Sequence, residues 1–154
     1  MGEHHPALDR EAAQALAESV AASMYARDTA SKALGMRVVR IEPGFAELTM
    51  IVRLDMLNGH AICHGGFIFT LADSAFAYAC NSYNLNTVAS GCAIDFIAPA
   101  RERDVLTARA RERQLAGRTG VYDVEVANER NEVVALFRGK SYRIKGHLDD
   151  GMQG

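Results

Sequence analysis

The chain has 154 residues, of which 49% are hydrophobic and 23% are charged, and its formal net charge at pH 7 is -2. This length and composition are typical of one globular domain. The nearly balanced charge gives no reason to expect nucleic acid or a membrane surface as a partner. No apolar run reaches the roughly 20 residues of a membrane span, and the N-terminus does not resemble a signal peptide. We expect a single domain over residues 1–154, with disordered tails at 1–8 and 146–154.

The cysteines indicate a reducing compartment. Cys63, Cys80 and Cys92 are odd in number and lie among apolar residues. Reduced thiols are therefore expected rather than a disulfide framework, which predicts a cytoplasmic location.

The N-terminal third predicts two helices and a β-hairpin. Apolar residues recur at helical spacing over residues 9–27. Asp28 or Thr29 can cap a further short helix that ends at Gly35. From residue 36 onwards, apolar and polar residues alternate on both sides of a turn at residues 42–44, which is typical of a hairpin.

The rest of the chain predicts one long helix followed by four strands. The strand-like segments are 87–99, 104–115, 120–128 and 133–144, and their short connections predict an antiparallel meander. The helix at 65–81 is apolar around most of its circumference, so it must be enclosed on most sides. We therefore predict an α+β fold in which a curved antiparallel sheet wraps around one long central helix. The apolar positions of that helix are Phe67, Ile68, Phe69, Leu71, Ala72, Ala75, Phe76, Tyr78 and Ala79.

A strip of small and polar residues runs along one side of this helix and contains a carboxylate. Gly66, Thr70, Asp73, Ser74 and Ala77 are spaced by three and four residues, so they share one face. The strip is either the solvated side of the helix or the lining of a cleft or subunit interface. A buried carboxylate without a partner costs several kcal/mol or takes up a proton through a raised pKa.

The start of the same helix predicts a site for a carbonyl or an anion. His64-Gly65-Gly66 stands where amide N–H groups lack partners inside the helix and where glycine allows close approach. The spacing and lysine of a phosphate-binding loop are missing. Gly65 and Asp73 are separated by roughly 12 Å along the helix axis. If both act on one substrate, the acid must come from the antiparallel helix of a second subunit.

Asn58, the run His64-Gly65-Gly66 and Asp73 together resemble the hotdog-fold acyl-CoA thioesterases. The stretch LNGHAICHGGFIFTLADSAFAYACNS is most similar to the phenylacetic acid degradation (PaaI) type, and the resemblance covers residues 24–144. It implies hydrolysis of an acyl-CoA, with aryl-acetyl-CoA or its hydroxylated forms as substrate. It also implies a homodimer that assembles into a homotetramer, and no cofactor or metal apart from the CoA of the substrate.

The resemblance also implies roles for individual residues. The Gly65 amide would bind the thioester carbonyl, and Asp73 of the facing subunit would be the general base or the nucleophile. Asn58 would orient water or the carbonyl, and His64 would polarise the pocket. Some hotdog thioesterases have a threonine where this chain has Ala77. The implied substrate-binding residues are Gly66, Ser74, Ser90 and Gly91, and the implied aromatic lining includes Phe67, Phe96 or Tyr83.

Other chemistries compete for the same residues. His60, Cys63 and His64 could suggest zinc, but a tetrahedral site needs about four ligands and no second cluster appears. Cys63 is expected to be a packed thiol rather than a nucleophile. Two other functions remain open on the same fold: an enoyl-CoA hydratase, and an acyl-CoA binding module without catalysis. Hydration and thiol-release assays would separate them.

Overall fold

A six-stranded antiparallel sheet packs against one long helix in the computed structural model, which describes residues 9–148. This confirms the predicted α+β class and the antiparallel sheet that packs against one long helix. Within residues 9–148, no helix has the length and apolar character needed to cross a membrane. The elements are α1 (Arg10–Arg27), α2 (Thr29–Ala33), β1 (Arg37–Glu42), β2 (Phe45–Ile51), a 3₁₀ turn (Leu54–Met56), α3 (Gly65–Cys80), β3 (Thr87–Phe96), β4 (Val105–Ala116), β5 (Thr119–Ala127) and β6 (Val133–Arg143).

The predicted tails fall mostly outside the part of the chain that the structure describes. Residues 1–8 and 149–154 are not described. Residues 146–148, at the start of the predicted C-terminal tail, make hydrogen bonds to the body of the domain. The Asn86 N–H donates to the Gly146 carbonyl, and His147 Nδ1 lies 2.9 Å from the Asn84 carbonyl oxygen.

Local signals placed the first elements correctly. The side chain of Asp9 accepts the Ala12 N–H at 2.8 Å and begins α1, and Asp28 accepts the Ser31 N–H at 3.0 Å and begins α2. Gly35 has φ +70°, as the C-terminal cap requires. Gly44 has φ +72° in the turn between β1 and β2. The predicted helices and hairpin are thus confirmed.

Helix α3 buries the face that the sheet covers. Ile68, Leu71, Ala72, Ala75 and Phe76 are buried, whereas the predicted strip from Gly66 to Ala77 stays half-buried or exposed. A Cβ on Gly139 of β6 would lie 2.9 Å from the Phe76 ring, so glycine is needed where the ring meets the strand.

The predicted meander is wrong for β3. The strand order is β1-β2-β4-β5-β6-β3, so β3 lies at the edge of the sheet and pairs with β6 rather than with β4. Residues 97–104 cross from one side of the β4-β5-β6 group to the other. Eight extended residues span about 26 Å, which exceeds the roughly 14 Å of three strand spacings. A short connection therefore does not require neighbouring strands.

Candidate active site

His64 caps the first turn of α3 with its own ring. Its Nδ1 accepts the Gly66 N–H at 2.9 Å, which requires that this ring nitrogen carries no proton. The Phe67 N–H donates to the His64 carbonyl at 3.0 Å. Among residues 9–148, the Gly65 N–H has no hydrogen-bond acceptor. The helix start thus presents one available amide beside two that are already satisfied.

Asn58 shapes the loop that leads into this helix. Its Oδ1 accepts the His60 N–H at 2.9 Å and the Ile62 N–H at 3.4 Å, and its own N–H donates to the Ile62 carbonyl. Ala61 closes the loop with φ +58°. The oxygen of the Asn58 side chain is therefore occupied, and Nδ2 is the atom that remains to donate to a substrate.

The loop is also tied to the segment that follows β3. The Cys63 N–H donates to the Ala100 carbonyl at 2.8 Å, and the His64 N–H donates to the Met56 carbonyl at 2.8 Å. The backbone on both sides of the helix start is thus fixed. These bonds hold the loop that contains Asn58 against the start of α3, where the run His64-Gly65-Gly66 lies.

Asp73 is a half-buried carboxylate on the strip of α3. Burial raises its pKa above the ordinary value. Among the described residues, no cation forms a salt bridge with it. The pKa of the Cys92 thiol on β3 is raised by burial and also by the charge of Asp73, so this carboxylate lies within electrostatic range of the edge strand. A carboxylate in this state is a stronger base than a fully solvated one.

Ser74 faces the short helix α2 of its own chain. Its Oγ lies 3.5 Å from the Ser31 Oγ. The Ser31 hydroxyl donates to Asp28 Oδ2 at 2.6 Å, and the Tyr78 hydroxyl donates to the same oxygen at 3.0 Å. This network around Asp28 was not predicted from the sequence. The capping signal at Asp28 was visible, but its contact with α3 is not local in sequence.

Ser90 and Gly91 lie at an irregularity in the register of β3, away from the start of α3. The Ser90 hydroxyl donates to the Lys140 carbonyl at 3.2 Å. Both residues are exposed, and a Cβ on Gly91 would meet open space. In a single chain, both residues therefore lie on the unpaired edge strand of the sheet.

Two of the three predicted pocket aromatics lie at the start of α3. The Phe96 ring contacts Gly65 so closely that a Cβ on this glycine would lie 2.8 Å from Phe96 Cζ. The ring of Phe67 meets the His64 ring edge-on, with 6.1 Å between centroids. Tyr83 follows the C-terminal end of α3, where its hydroxyl donates to Glu112 at 2.7 Å. The contact between Phe96 and Gly65 joins residues 31 positions apart, and no local pattern predicts it.

Cys63 is buried next to the start of α3, which does not favour its use as a nucleophile. Burial raises the pKa of the Cys63 thiol to about 11, so it stays protonated at neutral pH and is a packed thiol as predicted. Residues 9–148 contain no group of three His, Cys, Asp or Glu side chains placed to hold a metal ion.

Comparison with known proteins identifies the family. Residues 60–135 match the thioesterase superfamily. The acyl-coenzyme A thioesterase PaaI of Escherichia coli is 54% identical over 126 residues, which cover 82% of this chain and 90% of the relative. The solved structure of the E. coli PaaI protein from the phenylacetic acid degradation operon superposes with a TM-score of 0.86 at 51% identity, and covers 87% of this chain and 97% of that one.

More distant structures share the fold. The phenylacetic acid degradation protein PaaI of Thermus thermophilus is 42% identical, with a TM-score of 0.71 over 74% of this chain and 97% of that one. A Streptococcus mutans protein solved with acetyl-CoA is 26% identical, with a TM-score of 0.70 over 73% of this chain and 90% of that one. The chain therefore belongs to the thioesterase superfamily, among the hotdog-fold acyl-CoA thioesterases of the PaaI type.

Proposed function

We propose that this thioesterase hydrolyses acyl-CoA to a carboxylic acid and free CoA, with aryl-acetyl-CoA and its hydroxylated forms as preferred substrates. The E. coli relative is named an acyl-coenzyme A thioesterase, and its structure is described as coming from the phenylacetic acid degradation operon. In the reaction the oxygen of water joins the acyl carbon, the C–S bond breaks, and the CoA sulfur leaves with a proton. No cofactor takes part in the proposal apart from the CoA of the substrate.

One observation carries the proposal: a single helix offers both an available amide and a carboxylate with a raised pKa. The Gly65 N–H, at the positive end of the helix dipole, would bind the thioester oxygen and stabilise the charge that develops there. Asp73 would take the proton of the attacking water, or would attack the acyl carbon itself and form an anhydride that water then opens. Both routes start from the carboxylate form of Asp73.

Gly65 and Asp73 of one chain cannot reach the same carbonyl, because about 12 Å of helix separates them. We propose a homodimer in which the helices α3 run antiparallel, so that each Gly65 faces the Asp73 of the other subunit. Strand β3 supports this arrangement, because it is an edge strand whose residues are exposed along nearly its whole length. Pairing between two β3 strands would satisfy both edges. Two such dimers would form the homotetramer.

The other residues would support this chemistry in different ways. Nδ2 of Asn58 would donate to the water or the carbonyl, because Oδ1 is held by the loop. The ring of His64 would fix the Gly66 amide and so leave Gly65 as the donor. Ser74 would lie beside the acid, and Ser90 and Gly91 of the edge strand would contact the substrate at the proposed interface. The three free thiols, Cys63, Cys80 and Cys92, support a cytoplasmic location.

The experiment combines two inactive variants. Asp73→Ala removes the acid, and Gly65→Ala adds a Cβ that would lie 2.8 Å from the Phe96 ring and so crowds the amide. Each variant purified alone is therefore expected to lose thiol release from phenylacetyl-CoA. Mixed dimers, isolated after co-expression with two different affinity tags, carry both substitutions in one site and neither in the other. We expect about half of the wild-type activity per dimer, since one of the two symmetric sites is intact.

The matched control is a mixed dimer of Asp73→Ala with Asp73→Asn, in which neither site has the acid and no activity should return. Full activity of Asp73→Ala alone would contradict the role of this residue. Inactive mixed dimers of the first pair, with both parents folded, would contradict a site shared between subunits.

A further inference from the structure

Phe96 occupies a defined place next to the available amide. It is the last residue of β3, pairs with Ala135 of β6, and its ring lies against Gly65 at the start of α3. The Ile97 N–H that follows donates to the Val134 carbonyl at 2.9 Å, so the backbone of this end of β3 is held. The ring therefore has a fixed support.

Phe96 is nevertheless poorly covered, with 54% of its surface exposed. Phe76 of α3 and Phe137 of β6 are buried by contrast, and Phe137 packs edge-to-face against Phe69 with the centroids 5.4 Å apart. In the proposed dimer the partner strand pairs with the backbone of β3, and the face of the Phe96 ring that turns towards Gly65 lies where a bound group can cover it.

A substrate bound at Gly65 must pass close to this ring. A carbonyl oxygen that accepts the Gly65 N–H lies about 3 Å from the amide nitrogen. The atoms bonded to the carbonyl carbon then lie within a few ångström of a ring that already touches the same residue. Either the acyl group or the arm of CoA must pack on Phe96. In the first case a substitution of Phe96 changes the hydrolysis of some acyl-CoA substrates more than others, and in the second it changes all of them equally.

We propose that Phe96 is a specificity-determining residue that favours aromatic acyl groups over aliphatic ones, an inference that rests on the proposed thioesterase function. An aryl-acetyl group places its ring one methylene from the thioester carbonyl, which lets it meet Phe96 edge-to-face or offset. Such aromatic pairs add to the effect of area burial alone. The arm of CoA is the same in every substrate and would not change the preference.

The test compares kcat/KM for phenylacetyl-CoA and hexanoyl-CoA by thiol release, in the wild type and in Phe96→Leu. We expect the ratio of kcat/KM for phenylacetyl-CoA to that for hexanoyl-CoA to decrease by about twofold to tenfold in the variant. The decrease follows because an aromatic pair is lost while apolar contact is kept. Phe96→Tyr should retain the wild-type ratio. The matched control is Tyr142→Leu, which removes a similarly exposed aromatic ring of β6 and should leave the ratio unchanged.

Two outcomes would overturn the inference: an unchanged ratio with equally reduced rates, which assigns Phe96 to the CoA arm, or an unchanged ratio with unchanged rates. If Phe96→Leu does not fold, Phe96→Met takes its place and the same criteria apply. A wild-type protein that hydrolyses neither thioester would contradict the proposed function itself. Hydrolysis with an unaltered ratio would contradict only the role of Phe96.

Discussion

The burial of Asp73 favours catalysis and disfavours the stability of the folded state. A useful base needs a raised pKa, and burial on the strip of α3 supplies it. The same burial disfavours the charged form, so the folded state loses stability where Asp73 is ionised. Because the folded-state pKa of Asp73 exceeds its unfolded value, this loss is absent below a pH of roughly 3.9 and grows as the pH rises through the folded-state pKa.

Replacing Asp73 by Asn should therefore lower activity and raise stability. We expect kcat for phenylacetyl-CoA to fall about 100-fold to 10,000-fold, as for the loss of a general base. The melting temperature at pH 7 should exceed that of the wild type, since no carboxylate remains to be desolvated. The difference should shrink as the pH falls towards the ordinary carboxyl pKa. Calorimetry across this pH range and thiol-release kinetics measure both effects.

Glu102→Gln provides the comparison, because it removes an exposed carboxylate from the connection between β3 and β4. Activity and melting temperature should stay at wild-type values in this variant. An Asp73→Asn protein that melts below the wild type at pH 7 would show that the carboxylate makes a stabilising contact, and would refute the cost assigned to its burial.

At the scale of elements, the sequence predicted what is local and missed what is not. The capping residues Asp9 and Asp28 and the turn at Gly44 act within a few residues, and the predicted α1, α2 and hairpin match the structure. The partner of β3 depends on the path of residues 97–104 and on contacts far along the chain. The candidate site was predictable to the same extent. The strip around Asp73 follows from helical spacing, whereas the contact of Phe96 with Gly65 joins residues far apart in the chain and does not.

The two helix caps should differ in their importance. Within residues 9–148 the Asp9 side chain caps α1 and makes no other contact of this kind, whereas Asp28 caps α2 and also accepts the hydroxyls of Ser31 and Tyr78. Asp28 thereby links the N-terminal helices to α3. Asp9→Ala should lower the free energy of unfolding by about 1 kcal/mol, and Asp28→Ala by about 2–4 kcal/mol. Chemical denaturation of both variants provides the measurement. Equal losses would mean that the bond from Tyr78 adds nothing to the cap.

At the scale of the whole molecule, the two edges of the sheet are not equivalent. Strand β1 forms one edge, where the Gln14 side chain of α1 donates to the Ile41 carbonyl at 2.6 Å and so covers part of the backbone. Strand β3 forms the other edge and, within residues 9–148, has no helix beyond its outer side. The proposed dimer therefore uses β3 and leaves β1 free.

A lysine on each edge tests this asymmetry. Val88 of β3 and Val39 of β1 are both exposed edge valines, with 43% and 57% of their surface accessible. A lysine on an edge strand hinders pairing with another strand, and a symmetric interface contains the substitution twice. Val88→Lys should weaken the dimer at least about tenfold in sedimentation equilibrium, and its activity per chain should fall on dilution, since Asp73 and Gly65 would no longer meet. Val39→Lys should behave as the wild type in both measurements. A Val88→Lys protein that is monomeric and fully active would place the complete site within one chain. Dissociation caused by Val39→Lys alone would place the interface on β1.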